Sequence, residues 1–201
     1  MNPTPRERHG GERARLFVAL DLPPPVRATL AAWTADGLPT LPGLRLIDQR
    51  YLHVTLCFLG WRSLDEAGAI GAVCRSAVAD AGFGPAAARP GFRLSVGEAL
   101  WLPPRRPRVV AVELADADRG LGRLQAAVAQ ALIAQGFYER ESRPFLGHVT
   151  VARVGRGARV RPTPLPPPEA VRFDAEAVTL YRSRLQRGGA RYEALETVPL
   201  G

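Results

Sequence analysis

Two of the three histidines in this 201-residue chain lie in short strings that share one pattern. Residues 53–56 read His-Val-Thr-Leu and residues 148–151 read His-Val-Thr-Val, each within a segment that is predicted to be a β-strand. Because alternate residues of a strand point to the same face, each string places a histidine and a threonine on one face. The repeat predicts two lobes related by an approximate two-fold axis, with both histidines and both threonines facing one cleft.

This arrangement suits in-line displacement at phosphorus, in which a base deprotonates the nucleophile while an acid protonates the leaving oxygen on the opposite side. Imidazole titrates near neutral pH, so His53 and His148 can divide these two tasks. The hydroxyls of Thr55 and Thr150 can donate to the non-bridging phosphate oxygens. The scheme requires no metal. The alternatives are two structural histidines, or a zinc site, which is disfavoured because threonine is a poor ligand and no acidic residue or cysteine stands at ligand spacing.

The composition excludes several other chemistries. All 27 basic residues are arginine and there is no lysine, which excludes a Walker-type phosphate loop, a Schiff-base enzyme and a ligase that adenylylates a lysine. A formal charge of +8 favours an anionic partner such as a nucleic acid or a nucleotide. No long apolar segment or signal peptide is evident, so we expect a cytoplasmic protein without membrane contact. Cys57 and Cys74 are expected to be reduced, partly buried thiols.

The order of the remaining elements predicts an α+β fold. Residues 1–14 are expected to be a disordered tail, and residues 15–201 a single bilobal domain with two mainly antiparallel sheets, helices outside and a central cleft. A capping box at Ser63 and Glu66 predicts one helix start, and Asp116 or Asp118 another. Strands are predicted over residues 16–20, 44–47, 52–59, 92–100, 109–114, 145–154, 171–181 and 191–198, with a hairpin turn at Gly188-Gly189.

Four segments in order resemble the 2H phosphoesterase superfamily, specifically its RNA 2′,3′-cyclic phosphodiesterase branch, also called 2′-5′ RNA ligases. The resemblance covers about residues 15 to 200. It rests on residues 15–23 (RLFVALDLP), 52–60 (LHVTLCFLG), 144–153 (PFLGHVTVAR) and 180–183 (LYRS) with 188–192 (GGARY).

The resemblance implies hydrolysis of a terminal ribose 2′,3′-cyclic phosphate to a 2′-phosphate, without metal, ATP or other cofactor. It implies that His53 donates a proton to the departing O3′ and that His148 accepts the proton of the attacking water. Thr55 and Thr150 would hold phosphate oxygens. Joining of RNA ends through a 2′-5′ linkage would use the same histidines, with an RNA hydroxyl in place of water.

Three further residues match or flank the family pattern. Arg153 corresponds to a phosphate-binding arginine, but in an unbroken strand it would point away from His148 and Thr150. We therefore predict a bulge or a strand end between Thr150 and Arg153. Phe58 stands at the equivalent position of the first string and could stack on a nucleobase, or could be a core residue. Tyr181 could approach the cleft, or could be a packing residue.

The predicted partner is RNA ending in a 2′,3′-cyclic phosphate, bound by a monomer. Two alternatives to this function remain open. The first is a phosphodiesterase for small cyclic nucleotides or ADP-ribose cyclic phosphate. The second is a non-catalytic RNA-binding module whose histidines and threonines only hold a phosphate.

Overall fold

The structure is a computed structural model that describes residues 11–38, 41–85, 87, 91–186 and 189–201. This part of the chain forms nine strands and three helices, with short 3₁₀ turns at Gln49–Tyr51 and Leu64–Glu66. The helices are α1 (Pro24–Gly37), α2 (Ala67–Asp80) and α3 (Gly120–Ala134). The strands are β1 (Arg13–Asp21), β2 (Leu44–Leu46), β3 (His53–Ser63), β4 (Arg93–Leu102), β5 (Val109–Ala115), β6 (His148–Val154), β7 (Arg172–Asp174), β8 (Ala177–Gln186) and β9 (Gly189–Pro199).

The strands form a sheet in the order β7-β4-β5-β6-β3-β1-β8-β9, with β2 paired to β6, and the pairs are antiparallel. The α+β fold predicted from the sequence is confirmed. The two predicted sheets meet at the centre, where β3 and β6 are joined through the residue pair Val54–Val149. The two strands that carry the His-Val-Thr strings are therefore neighbours.

One face of the sheet packs against the helices and forms the core. On β1 the alternate residues Leu16, Val18 and Leu20 belong to this core, and Phe17 and Ala19 between them are buried as well. Cys57 and Cys74 lie in this core as free thiols and are fully buried, where partial burial was predicted. Burial raises the pKa of both, that of Cys74 to about 12.

Both predicted helix starts have a physical counterpart. The capping box at Ser63 and Glu66 is present, and it opens a 3₁₀ turn that leads into α2. The carboxylate of Asp116 accepts a hydrogen bond from the backbone N–H of Gly122 at 3.0 Å, which satisfies a free donor in the first turn of α3. In the described chain no helix is long and apolar enough to cross a membrane.

Several boundaries differ from prediction because the pairing partners determine where each strand begins and ends. Regular structure begins before Arg15, because Arg13 already pairs with Ser63. Residues 1–10 of the predicted tail lie outside the described residues. The strand predicted over 145–154 begins only at His148. The strand predicted over 171–181 is divided, because β7 pairs with β4 whereas β8 pairs with β1. The predicted hairpin is formed by β8 and β9, although residues 187 and 188 lie outside the described residues.

Candidate active site

A β-bulge follows each His-Val-Thr string at the same offset. On β6, Ala111 and Val110 of β5 pair with Thr150 and Ala152, so Val151 is an extra residue. The predicted bulge before Arg153 is thereby confirmed. Because of the extra residue, the consecutive residues Val151 and Ala152 are both buried, and Arg153 is exposed on the same face as Thr150.

A β-bulge also follows the first His-Val-Thr string, and this one was not predicted. Val18 and Ala19 of β1 pair with Cys57 and Thr55, so Leu56 is the extra residue of β3. Phe58 therefore returns to the face of His53 and is 41% exposed, and its interpretation as a core residue is wrong. Two successive apolar residues after each threonine were the signal in the sequence that could have revealed both bulges.

The pairing of Val54 with Val149 brings the predicted residues together. In an antiparallel pair this register sets His53 opposite Thr150 and Thr55 opposite His148. The Nδ1–H of His53 donates to the Tyr51 carbonyl at 2.7 Å, and that of His148 donates to the Leu146 carbonyl at 2.8 Å. Because a carbonyl oxygen can only accept, each neutral ring carries its proton on Nδ1 and keeps Nε2 available for proton transfer. Nε2 of His53 lies 3.2 Å from the Thr55 hydroxyl.

His53 lies in an aromatic wall. The centroid of its ring is 4.9 Å from that of Phe17 and 5.2 Å from that of Tyr192. Burial lowers the pKa of His53 to about 4, although the hydrogen bond to the Tyr51 carbonyl and the charge of Asp21 act in the opposite direction. His53 is therefore neutral at pH 7 in the substrate-free protein.

The lowered pKa of His53 predicts a loss of stability in mild acid. The unfolded state, with a histidine pKa near 6.5, binds a proton more readily than the native state, so stability falls as the pH drops from about 6.5 towards about 4. This shift corresponds to about 3 kcal/mol of unfolding free energy. Urea denaturation at pH 4, 5, 6 and 7 should show a shallower decline for His53→Gln than for the parent protein. Parallel declines would contradict the burial of a neutral His53.

A basic cavity of about 730 Å³ opens on the His53 side of the cleft. Its lining includes His53, Thr55, Phe58 and Arg153, four of the predicted site residues. Asp48 also lines it, but forms an ion pair with Arg50 at 2.6 Å that holds the pKa of Asp48 at about 2. Besides Arg153, the arginines of the lining are Arg15, Arg45, Arg50 and Arg191. The cavity can therefore accept several negative charges.

A second cavity, of about 920 Å³, opens on the His148 side. Thr55 lines both cavities, so the two meet beside the histidine pair. The walls of the second cavity are more apolar and include Leu102, Ile133, Tyr138 and Phe145. The cleft thus has a basic side at His53 and a more apolar side at His148.

Tyr181 lies behind His53 rather than in the lining of either cavity. Its hydroxyl donates to Asp21 at 2.7 Å, and the hydroxyl of Thr179 donates to the other oxygen of the same carboxylate at 2.7 Å. This engagement favours the packing interpretation of Tyr181, whose pKa is raised by burial. Sequence reasoning missed Asp21, which pairs with His53 across β1 and β3 and is marked in the sequence only as the residue that closes a strand.

Two neighbouring strands that present His-X-Thr-X to one cleft between the halves of an antiparallel sheet define a phosphoesterase of the two-histidine class. Among the described residues, no group of three His, Cys, Asp or Glu side chains could hold a metal ion. No family model matches the chain.

Comparison with similar proteins identifies the family within this class to which the chain belongs. The RNA 2′,3′-cyclic phosphodiesterase of Escherichia coli K12 is 32% identical over 186 residues, which cover 92% of this chain and 96% of that protein. An RNA 2′,3′-cyclic phosphodiesterase of Geobacillus stearothermophilus is 25% identical over 94% of this chain, which spans 58% of the relative. The crystal structure of E. coli LigT complexed with 3′-AMP matches with a TM-score of 0.76 and 30% identity, covering 94% of this chain and 99% of that one.

A second crystal structure, of TT0787 from Thermus thermophilus, matches with a TM-score of 0.74 and 28% identity over 92% of this chain and 97% of that one. The chain belongs to the RNA 2′,3′-cyclic phosphodiesterase family of the 2H phosphoesterase superfamily. The resemblance found in the sequence is confirmed, as is the predicted enzyme class, a phosphoric diester hydrolase.

Proposed function

We propose that this protein hydrolyses the terminal 2′,3′-cyclic phosphate of RNA to a 2′-phosphomonoester, using His53 and His148 and no metal or other cofactor. The observation that carries the proposal is the central pair of strands, which aligns the two histidines on either side of the point where the two cavities meet. The names of the two curated relatives support the choice of substrate. Because one chain supplies both histidines within the bilobal domain predicted for residues 15–201, we propose that the enzyme acts as a monomer.

In the proposed reaction, His148 takes a proton from water as the water oxygen attacks phosphorus. The P–O3′ bond breaks, and His53 gives a proton to O3′ while the phosphate stays on O2′. This requires His53 to be protonated once the substrate is bound. Since an adjacent negative charge favours the protonated form, the phosphodiester anion raises the pKa of His53 from its low value in the empty site. The pair then carries the single proton that the reaction uses.

The other site residues have supporting roles in this proposal. Thr55 and Thr150 donate hydrogen bonds to the non-bridging phosphate oxygens, and Arg153 neutralises the charge that they carry. Phe58 stacks on a nucleobase from its exposed position in the basic cavity. Tyr181 supports the site from behind His53, where its hydroxyl holds the Asp21 carboxylate.

The same site could join RNA ends through a 2′-5′ linkage, if an RNA hydroxyl takes the place of water at His148. The cavity on that side supports this second activity, since its volume of about 920 Å³ far exceeds that of one water molecule. The acceptor proton would pass to His148, and O3′ would leave with a proton from His53. No adenylylated lysine is needed, in agreement with a chain that has none.

The proposal predicts turnover of a short RNA that ends in a 2′,3′-cyclic phosphate, in the presence of EDTA. The product should be a 2′-phosphate, identified by its susceptibility to phosphatase and its retention of a free 3′-hydroxyl. An RNA with a free 5′-hydroxyl, added to the same reaction, tests for the joined product. A lack of hydrolysis would overturn the enzyme proposal in favour of an RNA-binding module. A preference for a mononucleoside cyclic phosphate or ADP-ribose cyclic phosphate would favour the small-molecule alternative.

A further inference from the structure

A row of side chains continues the cleft face of β3 away from His53. Along β1, every second residue from Asp21 back to Arg13 lies on this face, and the Cα partners on β3 identify the matching row. Asp21 pairs with His53, Phe17 with Phe58, Arg15 with Trp61 and Arg13 with Ser63.

A second bulge of β3 keeps this row in line. Leu16 and Phe17 of β1 pair with Gly60 and Phe58, so Leu59 is an extra residue. Gly60 has a φ of 72°, a conformation that glycine adopts without strain and that is typical of one class of bulge. In a regular strand that kept Leu59, Trp61 would face the core. The bulge therefore turns a large aromatic side chain to the cleft face.

The outer part of the row combines exposed aromatic rings with positive charge. Trp61 is 59% exposed, which is unusual for so large an apolar side chain. The guanidinium of Arg15 lies 4.9 Å from the centre of the Phe58 ring, and that of Arg13 donates to the Trp61 carbonyl at 3.1 Å. The aromatic surface of Trp61 is thus available beside Arg13 and Arg15. Its exposure beside two arginines matches the composition of surfaces that bind single-stranded nucleic acid.

The row extends well beyond one nucleotide. Arg15 lies six positions before Asp21 on β1, a distance of about 20 Å at the rise of a strand. A mononucleotide with its cyclic phosphate at His53 could not reach Trp61. An RNA strand could, because its chain continues in the 5′ direction from the terminal nucleotide.

We propose that Phe58, Trp61, Arg13 and Arg15 form a track for the single-stranded RNA that precedes the cyclic phosphate. Bases stack on the two aromatic rings, and the arginines contact phosphates of the backbone. The track rests on the proposed function, and it makes a substrate of several nucleotides preferable to a mononucleotide.

A series of substrates of increasing length tests the track. RNAs of one, two, three and six nucleotides, each ending in a 2′,3′-cyclic phosphate, should show a rising kcat/KM with the parent protein. Trp61→Ala should lower the ratio of kcat/KM for six nucleotides over one by about tenfold, the usual range for loss of a stacked base. Trp61→Phe should restore most of this ratio, because stacking tolerates another aromatic ring.

The charged part of the track has a matched control. Arg13→Ala should lower the affinity for the six-nucleotide RNA and reduce the slope of log affinity against log salt by about 0.7 for each phosphate that is no longer neutralised. Arg93→Ala removes the same charge from β4, where Arg93 pairs with Asp174, and should leave the slope unchanged. Equal effects of the two variants would point to net charge alone and would overturn the role of Arg13.

Binding measured without turnover separates this proposal from the proposed function. The probe is a fluorescently labelled six-nucleotide RNA ending in a 3′-phosphate, with affinity measured by anisotropy. Weaker binding by Trp61→Ala supports the track even if no cyclic phosphate is hydrolysed, an outcome that would defeat only the catalytic proposal. Unchanged binding, or a kcat/KM in the parent that does not rise with length, would overturn the track and leave the catalytic proposal intact.

Discussion

Replacement of either His53 or His148 by alanine is expected to reduce kcat/KM for RNA 2′,3′-cyclic phosphate by about 10²- to 10⁴-fold, the usual contribution of a general acid or base. The physical reason is the same for both variants, since each removes the Nε2 that exchanges a proton with the reacting oxygens. His9→Ala is the matched control, because His9 belongs to the predicted tail and should tolerate the change. Thermal unfolding of each variant shows whether lost activity reflects lost structure.

A substrate with a good leaving group distinguishes the two histidines. In bis(4-nitrophenyl) phosphate the departing nitrophenolate needs no proton, so a general acid becomes dispensable whereas a general base does not. If His53 is the donor, His53→Ala should retain much of the parent's rate on this compound, and His148→Ala should lose it. The reverse pattern would exchange the two roles. Full activity of both variants on RNA 2′,3′-cyclic phosphate would contradict two-histidine catalysis.

Arg153→Ala is expected to reduce kcat by about 10²- to 10³-fold, as removal of one stabilising contact to a charged transition state commonly does. The bulge at Val151 brings Arg153 to the face of the histidines, and its guanidinium can contact two phosphate oxygens at once. Arg153→Lys should recover only part of the rate, because an ammonium keeps the charge but lacks the planar pair of donors.

A matched control for Arg153 is Arg184→Ala, since Arg184 pairs with Glu193 on the exposed part of the β8–β9 hairpin and lines neither cavity. Its activity should stay close to that of the parent. Steady-state kcat and KM, measured separately, decide the role of Arg153. A change in KM with kcat intact would mean that Arg153 binds the ground state of the substrate and does not stabilise the transition state.

The sequence pattern around each histidine predicted which site residues share a face of their strand. The His-X-Thr spacing fixes which side chains share a face, and parity along the strand required the bulge before Arg153. The environment of each histidine depends on distant partners. Phe17 and Tyr192 surround His53, and nothing in the residues next to His53 indicates that burial would lower its pKa.

In the fold as well, some features follow from local sequence and others from distant partners. Strand positions followed from apolar runs, but the ends of strands followed from their partners, as at Arg13, where pairing with Ser63 extends β1. The division of the segment at residues 171–181 has the same cause, because β7 and β8 join opposite halves of the sheet. The exposure of Trp61 also depends on a bulge that no local preference of the tryptophan reveals.

The bulges at Leu56 and Val151 let each strand carry one extra residue and still present the next side chains to the cleft. Deletion of Val151 would leave Thr150, Ala152 and Arg153 in regular alternation, with Arg153 still on the face of Thr150, and would cost only core packing. A straight strand that kept Val151 would instead turn Arg153 towards the core. Burial of an unpaired guanidinium is far more costly than a small cavity. A related chain with one residue fewer between the threonine and the arginine is therefore expected to keep the same site without a bulge.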